Sequence, residues 1–246
     1  MQPQNDCCPW NVRALLQSTA TPFTIADYGP RDAIFRQGDP SDSVMHIQRG
    51  RVWLAVTARS GKEAICGLLG TGAFLGEEAL AGRGERRQSA IAMTATQVLV
   101  VAKADMIPLL HTQPGLLDRF IAHLLARNIR LEANLTDQIF NSSEQRVAHT
   151  LLVLANCDGR LRCRCALPDL SQQIIAEMVG TTRSRVNAFI GKFKKLGFIE
   201  AHSGVLYVNP ARLHGVSDSD RRRSIAASLA VPEASEWEER HWPLAG

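Results

Sequence analysis

The stretch that decides the fold is SQQIIAEMVGTTRSRVNAFIGKFKKLGF, which covers residues 171–198. It contains two segments with apolar residues at helical spacing, and Gly180 stands between them. A glycine suits the tight turn between two helices because it has no Cβ. Short strand-like segments follow at 197–201 and 205–208. The pattern predicts a helix-turn-helix with a β wing behind it.

The second helix of this motif has one apolar face and one basic face rich in small residues. At 100° per residue, its buried side is predicted to hold Val186, Phe189, Ile190 and Phe193. Arginine bonds guanine edges or phosphates with a forked geometry, and asparagine can pair with adenine. Threonine at a helix N-terminus suits capping and phosphate binding. The surface predicted to contact double-stranded DNA consists of Thr181, Thr182, Arg183, Ser184, Arg185, Asn187 and Lys192.

Charge is concentrated in the same part of the chain. The 246 residues carry a net charge of +4, and residues 141–214 hold ten Lys and Arg against five Asp and Glu. That balance suits a polyanionic partner. Hydrophobic residues make up 45% and charged residues 21%, which is typical of globular proteins. No apolar run approaches the roughly 20 residues of a membrane helix, and no secretion signal is evident, so we expect a cytoplasmic protein without membrane contact.

Before residue 103 the chain consists of short alternating stretches separated by glycine-containing turns. Such a rhythm favours a compact antiparallel roll or jelly roll, because no helix-length segment separates the strands as a parallel sheet would require. The predicted strands are 24–26, 33–36, 44–48, 51–57, 63–69, 89–92 and 96–102.

A long helix is predicted to begin at Pro114, a residue that suits a first helical turn. Its apolar residues recur at steps of three and four over about 27 positions, or about 40 Å at 1.5 Å per residue. A helix of that length and repeat favours pairing with a second copy of the chain. The predicted dimer interface consists of Phe120, Ile121, Leu124, Asn128, Leu131 and Leu135.

Together these patterns predict an α+β fold with an antiparallel β-roll, a long dimerisation helix and a C-terminal winged helix-turn-helix. The predicted parts are an N-terminal arm at 1–21, an effector domain at 22–110, a dimerisation helix at 111–140, a DNA-binding domain at 141–214 and a disordered tail at 215–246.

Four motifs in this order resemble the CRP/FNR family of bacterial transcription regulators. They are RQGDPS with HIQRGRV at 36–41 and 46–52, GAFLGE at 72–77, RVAHTLL at 146–152 and the helix-turn-helix. The resemblance spans residues 23–214 and implies a barrel similar to a cyclic-nucleotide-binding domain. It also implies a homodimer on near-palindromic DNA sites, with RNA polymerase as a further partner.

The effector pocket implied by the resemblance departs from the cyclic-AMP pattern. Gly76 and Glu77 match the residues that hold the ribose, but Gln88 stands where the phosphate-binding arginine belongs. A neutral amide cannot supply the charge-assisted bond of an arginine, so we expect the barrel not to be an ordinary cyclic-AMP site. The alternative is a cyclic-nucleotide response in which Arg86 or Arg87 binds the phosphate. The predicted pocket residues are Gly76, Glu77, Arg87, Gln88, Ser89, Ala90, Leu131 and Glu132.

The cysteines and the catalytic motifs bear on other possible functions. A redox or thiol sensor would use Cys157, Cys163 and Cys165. No iron–sulfur cluster is expected, because only Cys7 and Cys8 lie near the N-terminus and Cys66 is isolated. No metal site is predicted, and the chain lacks phosphate-loop, H-E-x-x-H and G-x-S-x-G motifs, which argues against an enzyme. A ligand-binding module that docks on a partner protein is the remaining class.

Overall fold

The computed structural model describes residues 11–155, 165–168, 170–202 and 205–217. Two compact units divide this part of the chain. The barrel unit comprises residues 11–62 and 66–124, and the helical unit comprises residues 63–65 together with the described residues from 125 onward. None of the helices in these ranges combines the length and apolarity needed to cross a membrane.

The strands come first along the chain, and the helices dominate after residue 102. The N-terminal strands are β1 (Thr24–Tyr28), β2 (Ala33–Phe35), β3 (Ser43–Arg49), β4 (Val52–Thr57), β5 (Glu63–Leu69), β6 (Phe74–Leu75), β7 (Ser89–Ala92) and β8 (Thr96–Ala102). The helices are α1 (Val12–Ser18), α2 (Lys103–Thr112), α3 (Pro114–Phe140), α4 (Ser143–Leu154), α5 (Gln172–Val179), α6 (Arg183–Lys195) and α7 (Pro210–Ser217). The later strands are β9 (Cys165–Ala166), β10 (Ile199–His202) and β11 (Val205–Val208).

Two antiparallel sheets enclose the core of the barrel unit. Their strand orders are β1-β8-β3-β6 and β2-β7-β4-β5. Because side chains alternate along a strand, β3 and β8 bury residues on both faces. Met45 and Val98 point into the core between the sheets, whereas Val44 and Leu99 belong to a second apolar cluster. That second cluster includes residues of α1, α2 and the first turns of α3, which cover the outer face of the sheet.

The helical unit packs α4, α5, α6 and α7 beside a small sheet of order β10-β11-β9. Ser142 caps α4 with its hydroxyl, and Gln145 returns a side-chain bond to the Ser142 backbone, which completes a capping box. The large side chain of Phe193 on α6 is fully buried, as are Leu151 on α4 and Leu213 on α7. These side chains form part of the apolar interior of the helical unit.

The predicted fold is confirmed, and several element bounds agree closely. Strands β5, β7 and β8 begin and end where the sequence predicts, and α3 begins at Pro114. The sequence does not predict β6, helix α7 or a short 3₁₀ helix at Glu77–Ala81. Helix α7 continues across residue 215, where the tail was predicted to begin, and residues 218–246 lie outside the described part of the chain.

Candidate nucleic-acid interface and effector pocket

The turn between α5 and α6 depends on Gly180. Its φ of 70° lies in the left-handed region, which costs a residue with a Cβ about 1–2 kcal/mol. The Gly180 N–H donates to the carbonyl of Ala176, and the Thr181 N–H bonds the same carbonyl at 3.0 Å. This closes α5 at Val179 and lets α6 begin at Arg183, as expected for a helix-turn-helix.

Thr182, rather than Thr181, caps the N-terminus of α6. Its Oγ1 accepts from the Arg185 N–H at 3.4 Å and lies 3.1 Å from the Ser184 hydroxyl. The remaining N–H groups of the first turn and the positive end of the helix dipole are exposed, which favours a phosphate there. Thr181 and Thr182, which are predicted to bind phosphate, therefore lie at a well-formed helix N-terminus.

One face of α6 is apolar and buried, and the opposite face is polar and exposed. Val186, Ile190 and Phe193 are buried, and Phe189 is half-buried. The residues predicted to contact bases are all exposed on the other side: Arg183, Ser184, Arg185 and Asn187. The small side chain of Ala188 lies among them and leaves room for a close approach of DNA.

Lys192, also predicted to contact DNA, already has a partner within the protein. Its Nζ donates to Oε1 of Glu144 on α4 at 2.6 Å. A phosphate would have to compete with that carboxylate for the ammonium group. Lys194 and Lys195 are exposed in the last turn of α6. They continue the positive surface toward the β10–β11 wing, where α6 contacts β10.

In the barrel unit, Arg86 is committed to the protein interior. Its Nη1 donates to the Gly76 carbonyl at 3.0 Å, and its Nη2 donates to the carbonyl and the hydroxyl of Ser43 at 2.8 and 3.1 Å. The guanidinium lies 3.7 Å from Glu78 Oε1 and 4.5 Å from the centre of the Phe35 ring. Arg86 is only 2% exposed. Moving it toward a ligand would break all of these contacts.

Gly76 immediately precedes the 3₁₀ helix at Glu77–Ala81, and its position leaves no room for a Cβ. Its φ is 75°, and an added Cβ would lie 2.5 Å from Arg86 Nη1 and 3.1 Å from the Ser43 carbonyl. Any larger residue would displace the arginine from the carbonyl that it holds. Glu77, the next residue, is half-buried at the start of the 3₁₀ helix.

Gln88 is held by a thiol that packs on the barrel core. Cys66 Sγ donates to Gln88 Oε1 at 3.2 Å and lies 3.4 Å from the Leu54 carbonyl. Cys66 packs against the core cluster that contains Leu54 and Ala90. The polar group at this end of β7 is therefore the neutral amide of Gln88 and not a guanidinium, in line with the sequence analysis.

Ser89 and Ala90 lie on opposite faces of β7. Ala90 is buried in the core between the sheets, whereas the Ser89 hydroxyl accepts the Gln37 N–H at 2.9 Å. Gln37 is itself anchored to Thr57 of β4 through two hydrogen bonds, at 2.8 and 3.3 Å. Ser89 thus stabilises the loop after β2. Arg87, between Arg86 and Gln88, is exposed.

The residues predicted on α3 divide between two environments. Phe120 is buried at 5% exposure in the cluster formed with α1, α2 and the sheet, so the structure places it in the barrel unit's own core rather than in a seam. Asn128 Nδ2 donates to Glu132 Oε1 at 3.0 Å, and both residues are exposed. The exposed apolar residues of α3 are Ile121, Leu124, Leu125, Ile129, Leu131, Leu135, Ile139 and Phe140.

Two domain families match the chain. The cyclic nucleotide-binding domain matches residues 26–113, and the Crp-like helix-turn-helix domain matches residues 145–216. The cyclic AMP receptor protein of Thermus thermophilus is 32% identical over 185 residues, which is 73% of this chain and 81% of that protein. This chain belongs to the CRP/FNR family of transcription regulators. The predicted family is confirmed.

Other CRP/FNR relatives extend the comparison. The CRP-like cAMP-activated global transcriptional regulator of Mycobacterium tuberculosis is 28% identical over 204 residues, or 79% of this chain and 84% of that protein. The structure of CLP, a c-di-GMP responsive regulator from Xanthomonas campestris, covers 80% of this chain and 98% of its own at 19% identity, with a TM-score of 0.69. A mutant of CooA from Carboxydothermus hydrogenoformans covers 86% and 98% at 20% identity, with a TM-score of 0.65. At these identities the structures show the fold alone.

CRP/FNR relatives are transcription regulators rather than enzymes, which confirms the prediction on catalysis. The match to the Crp-like helix-turn-helix domain also argues against the hypothesis that the chain is a module that docks only on a partner protein. Among the described residues, no three His, Cys, Asp or Glu side chains come together as metal ligands. Cys66 and Cys165 carry thiols that are not in disulfides, and Cys157 and Cys163, the other members of the predicted trio, lie outside the described residues.

The sequence does not signal an unusual pKa at His46, a half-buried histidine of the barrel unit. Its pKa is lowered to about 4, chiefly by removal from water and also by the nearby charge of His123, while a hydrogen bond with the Gly72 backbone acts in the opposite direction. Gln48 Nε2 lies 2.6 Å from His46 Nδ1, and the imidazole meets the Phe74 ring edge-on at 4.8 Å. His46 is therefore neutral at physiological pH.

Sequence reasoning also missed a set of bonds between the end of α3 and its neighbours. Asp137 is buried and accepts from Asn141 Nδ2 and His149 Nδ1, each at 3.0 Å. Arg146 on α4 bonds the carbonyl and side-chain oxygens of Gln138, whose Nε2 donates to the Val179 carbonyl at 3.3 Å. Only Asn141 and Ser142 separate α3 from α4. No local pattern signals these contacts, because the partners lie up to 41 residues apart.

Proposed function

We propose that the chain acts as a homodimer on near-palindromic DNA sites, and that its barrel takes an effector in a manner unlike an ordinary cyclic-AMP site. The observation that carries the DNA-binding proposal is the exposed polar face of α6. Arg183, Ser184, Arg185 and Asn187 all reach solvent there, above a capped helix start. A dimer would present two such faces to successive major grooves.

The homodimer is supported by the exposed apolar stripe of α3. Ile121, Leu124, Leu131 and Leu135 lie at helical spacing, and Leu135 is 62% exposed. A contiguous apolar stripe of this length on a monomer is costly in water and is typical of an interaction surface. A second copy of α3 covers it most simply, since two helices with the same repeat pack along one seam.

The proposal of an unusual effector pocket is supported by the contacts that Arg86 and Gln88 make within the protein. Arg86 is buried on the Ser43 and Gly76 carbonyls, and Gln88 presents an amide that Cys66 already bonds. A bound phosphate would therefore gain no buried guanidinium from this strand end unless the Arg86 contacts were broken. Such contacts to a charged donor are worth about 1.5–3 kcal/mol each.

Cyclic AMP binding through Arg87 is the second candidate for the effector. The exposed guanidinium of Arg87 is one residue from Gln88 and makes no contact that a phosphate would have to displace among those described above. The Thermus thermophilus and Mycobacterium tuberculosis relatives are also named for cyclic AMP. We further propose contact with RNA polymerase and a cytoplasmic location, with thiol sensing through Cys157, Cys163 and Cys165 as a third candidate signal.

Fluorescence anisotropy on DNA from upstream of the chain's own gene, with no effector added, tests the proposal directly. Specific nanomolar binding that a scrambled competitor does not abolish is expected if the DNA-competent dimer forms without a nucleotide. Addition of cyclic AMP to the same sample separates the two effector candidates. If cyclic AMP raises the affinity for DNA, and this rise is absent in Arg87→Ala but present in the control variant Arg36→Ala, the effector is cyclic AMP and the proposal of an unusual pocket is overturned. Light scattering on the same protein reports the dimer.

A further inference from the structure

Two amide side chains meet at the recognition surface. Gln172, the first residue of α5, donates from Nε2 to Oδ1 of Asn187 on α6 at 3.2 Å. Asn187 is exposed on the face proposed to meet DNA, and Gln172 is half-buried beside it. The bond joins two helices across 15 residues, and nothing in the helical periodicity of either segment requires it.

This bond decides which part of the Asn187 amide faces outward. An asparagine amide is planar, and its acceptor oxygen and NH₂ donor lie on opposite sides of the Cβ–Cγ bond within that plane. Because Oδ1 turns toward α5 to accept from Gln172, Nδ2 and its two hydrogens turn away from α5. Pairing with adenine requires both atoms to face the base edge, Oδ1 toward N6 and Nδ2 toward N7. The Gln172 contact opposes that arrangement.

We propose that Gln172 is a specificity-determining residue that makes Asn187 select a keto base over an amino base. The proposal rests on the DNA-binding function proposed above. Guanine presents O6 and N7 and thymine presents O4 as major-groove acceptors, which match two outward N–H donors. Adenine N6 and cytosine N4 present donors at the corresponding place, so a donor would face a donor. Gln172 acts through Asn187 and is a positioning residue in this respect.

A neighbouring glutamine provides a matched control. Gln173 lies next to Gln172 on α5, is exposed, and donates from Nε2 to Glu177 Oε1 of its own helix at 2.8 Å. It makes no described contact with α6. Gln173→Ala therefore removes the same side chain from the same turn of α5 without releasing Asn187.

Sequencing of DNA selected from a randomised half-site library by the purified full-length protein tests the proposal. Asn187→Ala identifies the base pair that Asn187 contacts, as the position at which selectivity is lost. At that position the wild type is expected to favour guanine or thymine over adenine and cytosine by about fivefold or more. Gln172→Ala is expected to admit adenine there to a similar level, because the freed amide can rotate, while Gln173→Ala keeps the wild-type preference.

Three results would overturn the proposal. The first is a wild-type preference for adenine or cytosine at that position, which would mean that the amide faces outward with its oxygen. The second is an unchanged preference in Gln172→Ala. The third is unchanged selectivity in Asn187→Ala, which would mean that Asn187 touches no base. A wild-type protein that selects no sequence at all would instead overturn the DNA-binding function, so the two failures are distinguishable.

Discussion

Arg86 illustrates how one buried side chain changes what a pocket can bind. It bridges Ser43 on β3 and Gly76 before the 3₁₀ helix, two points 33 residues apart in the chain. Removing one member of a buried, charged hydrogen-bond set leaves the other members unsatisfied, and this costs more than the bonds contribute in water. The arginine thus stabilises the barrel two residues before Gln88, the position at which a phosphate-binding arginine is expected.

Arg86→Ala is therefore expected to destabilise the barrel unit by about 2–4 kcal/mol, because two carbonyls lose their donor and a cavity opens beside Phe35. Arg87→Ala, one residue away and exposed, is expected to change stability by less than about 0.5 kcal/mol. Urea unfolding followed by the fluorescence of Trp53, which is buried on β4, measures both variants. Equal midpoints for the two variants would show that the Arg86 contacts carry no stability.

His46 makes the stability of the barrel unit dependent on pH. Its pKa is about 4 in the folded protein and about 6.5 in an unfolded chain, so the unfolded state binds the proton more tightly between these values. The contribution is complete above about pH 6.5 and is lost as the pH falls toward 4, with a size of about 3 kcal/mol over that range and about 2 kcal/mol between pH 7 and pH 5. His46→Gln is expected to lessen the fall in unfolding free energy from pH 7 to pH 5.

The exposed His111 on α2 offers the control, since His111→Gln should leave the same pH dependence in place. If His46→Gln and the wild type lose equal stability between pH 7 and pH 5, another group is responsible.

Helix α3 combines two roles along its length. Its first turns place Leu116 and Phe120 in the core of the barrel unit, and its exposed apolar stripe continues to Phe140. The sequence predicts the helix and its start from Pro114, because apolar spacing and a proline at the first turn are local signals. It does not distinguish Phe120 from the other residues of the predicted dimer interface, because the residues that bury Phe120 belong to α1, α2 and the sheet.

Charging the stripe is expected to separate the proposed dimer. Leu124→Glu combined with Leu135→Glu places an unpaired carboxylate at two levels of each helix, and burying such a charge costs several kcal/mol. Light scattering at micromolar concentration should report a monomer. Ile107→Glu on α2, which exposes a similar apolar fraction away from the stripe, should remain dimeric. A dimeric double variant would rule out α3 as the interface.

The start of α6 depends on one hydroxyl. Thr182→Ala removes the cap on the Arg185 N–H and is expected to lower the stability of the helical unit by about 1 kcal/mol, with weaker DNA binding as the first turn frays. Thr181→Ala should have a smaller effect on stability because Thr181 does not cap α6. Thermal unfolding compares the two, and a larger loss for Thr181→Ala would contradict the assigned cap.

Among the elements, the sequence predicts best those with strong local signals. The bounds of β5, β7 and β8 follow from alternation between turns. The two-residue strand β6 is too short to show a period, and α7 is a short helix that contains Gly215, a residue of low helix propensity. The Arg86 and Gln172 contacts escape prediction because they depend on how distant segments meet.

For the proposed dimer on DNA, salt dependence distinguishes free cations from paired ones. Each lysine that neutralises a phosphate lowers the slope of log K against log salt by about 0.9. Lys194→Ala is expected to reduce the steepness by about 2 for a dimer, whereas Lys192→Ala should change it less, because Glu144 already neutralises Lys192. Anisotropy titrations between 50 and 200 mM salt measure these slopes. A larger change for Lys192→Ala would show that DNA displaces Glu144.

The bonds at the α3–α4 junction have a practical consequence for building hybrid regulators. Asp137, Gln138, Arg146 and His149 tie the last turn of α3 to α4 and α5, so this turn belongs with the DNA-binding helices although it continues the helix of the barrel side. A new sensor domain joined at Asn141 would sever those ties. A fusion made inside α3 between Leu124 and Leu125, where the two units divide, and kept in heptad register would preserve them.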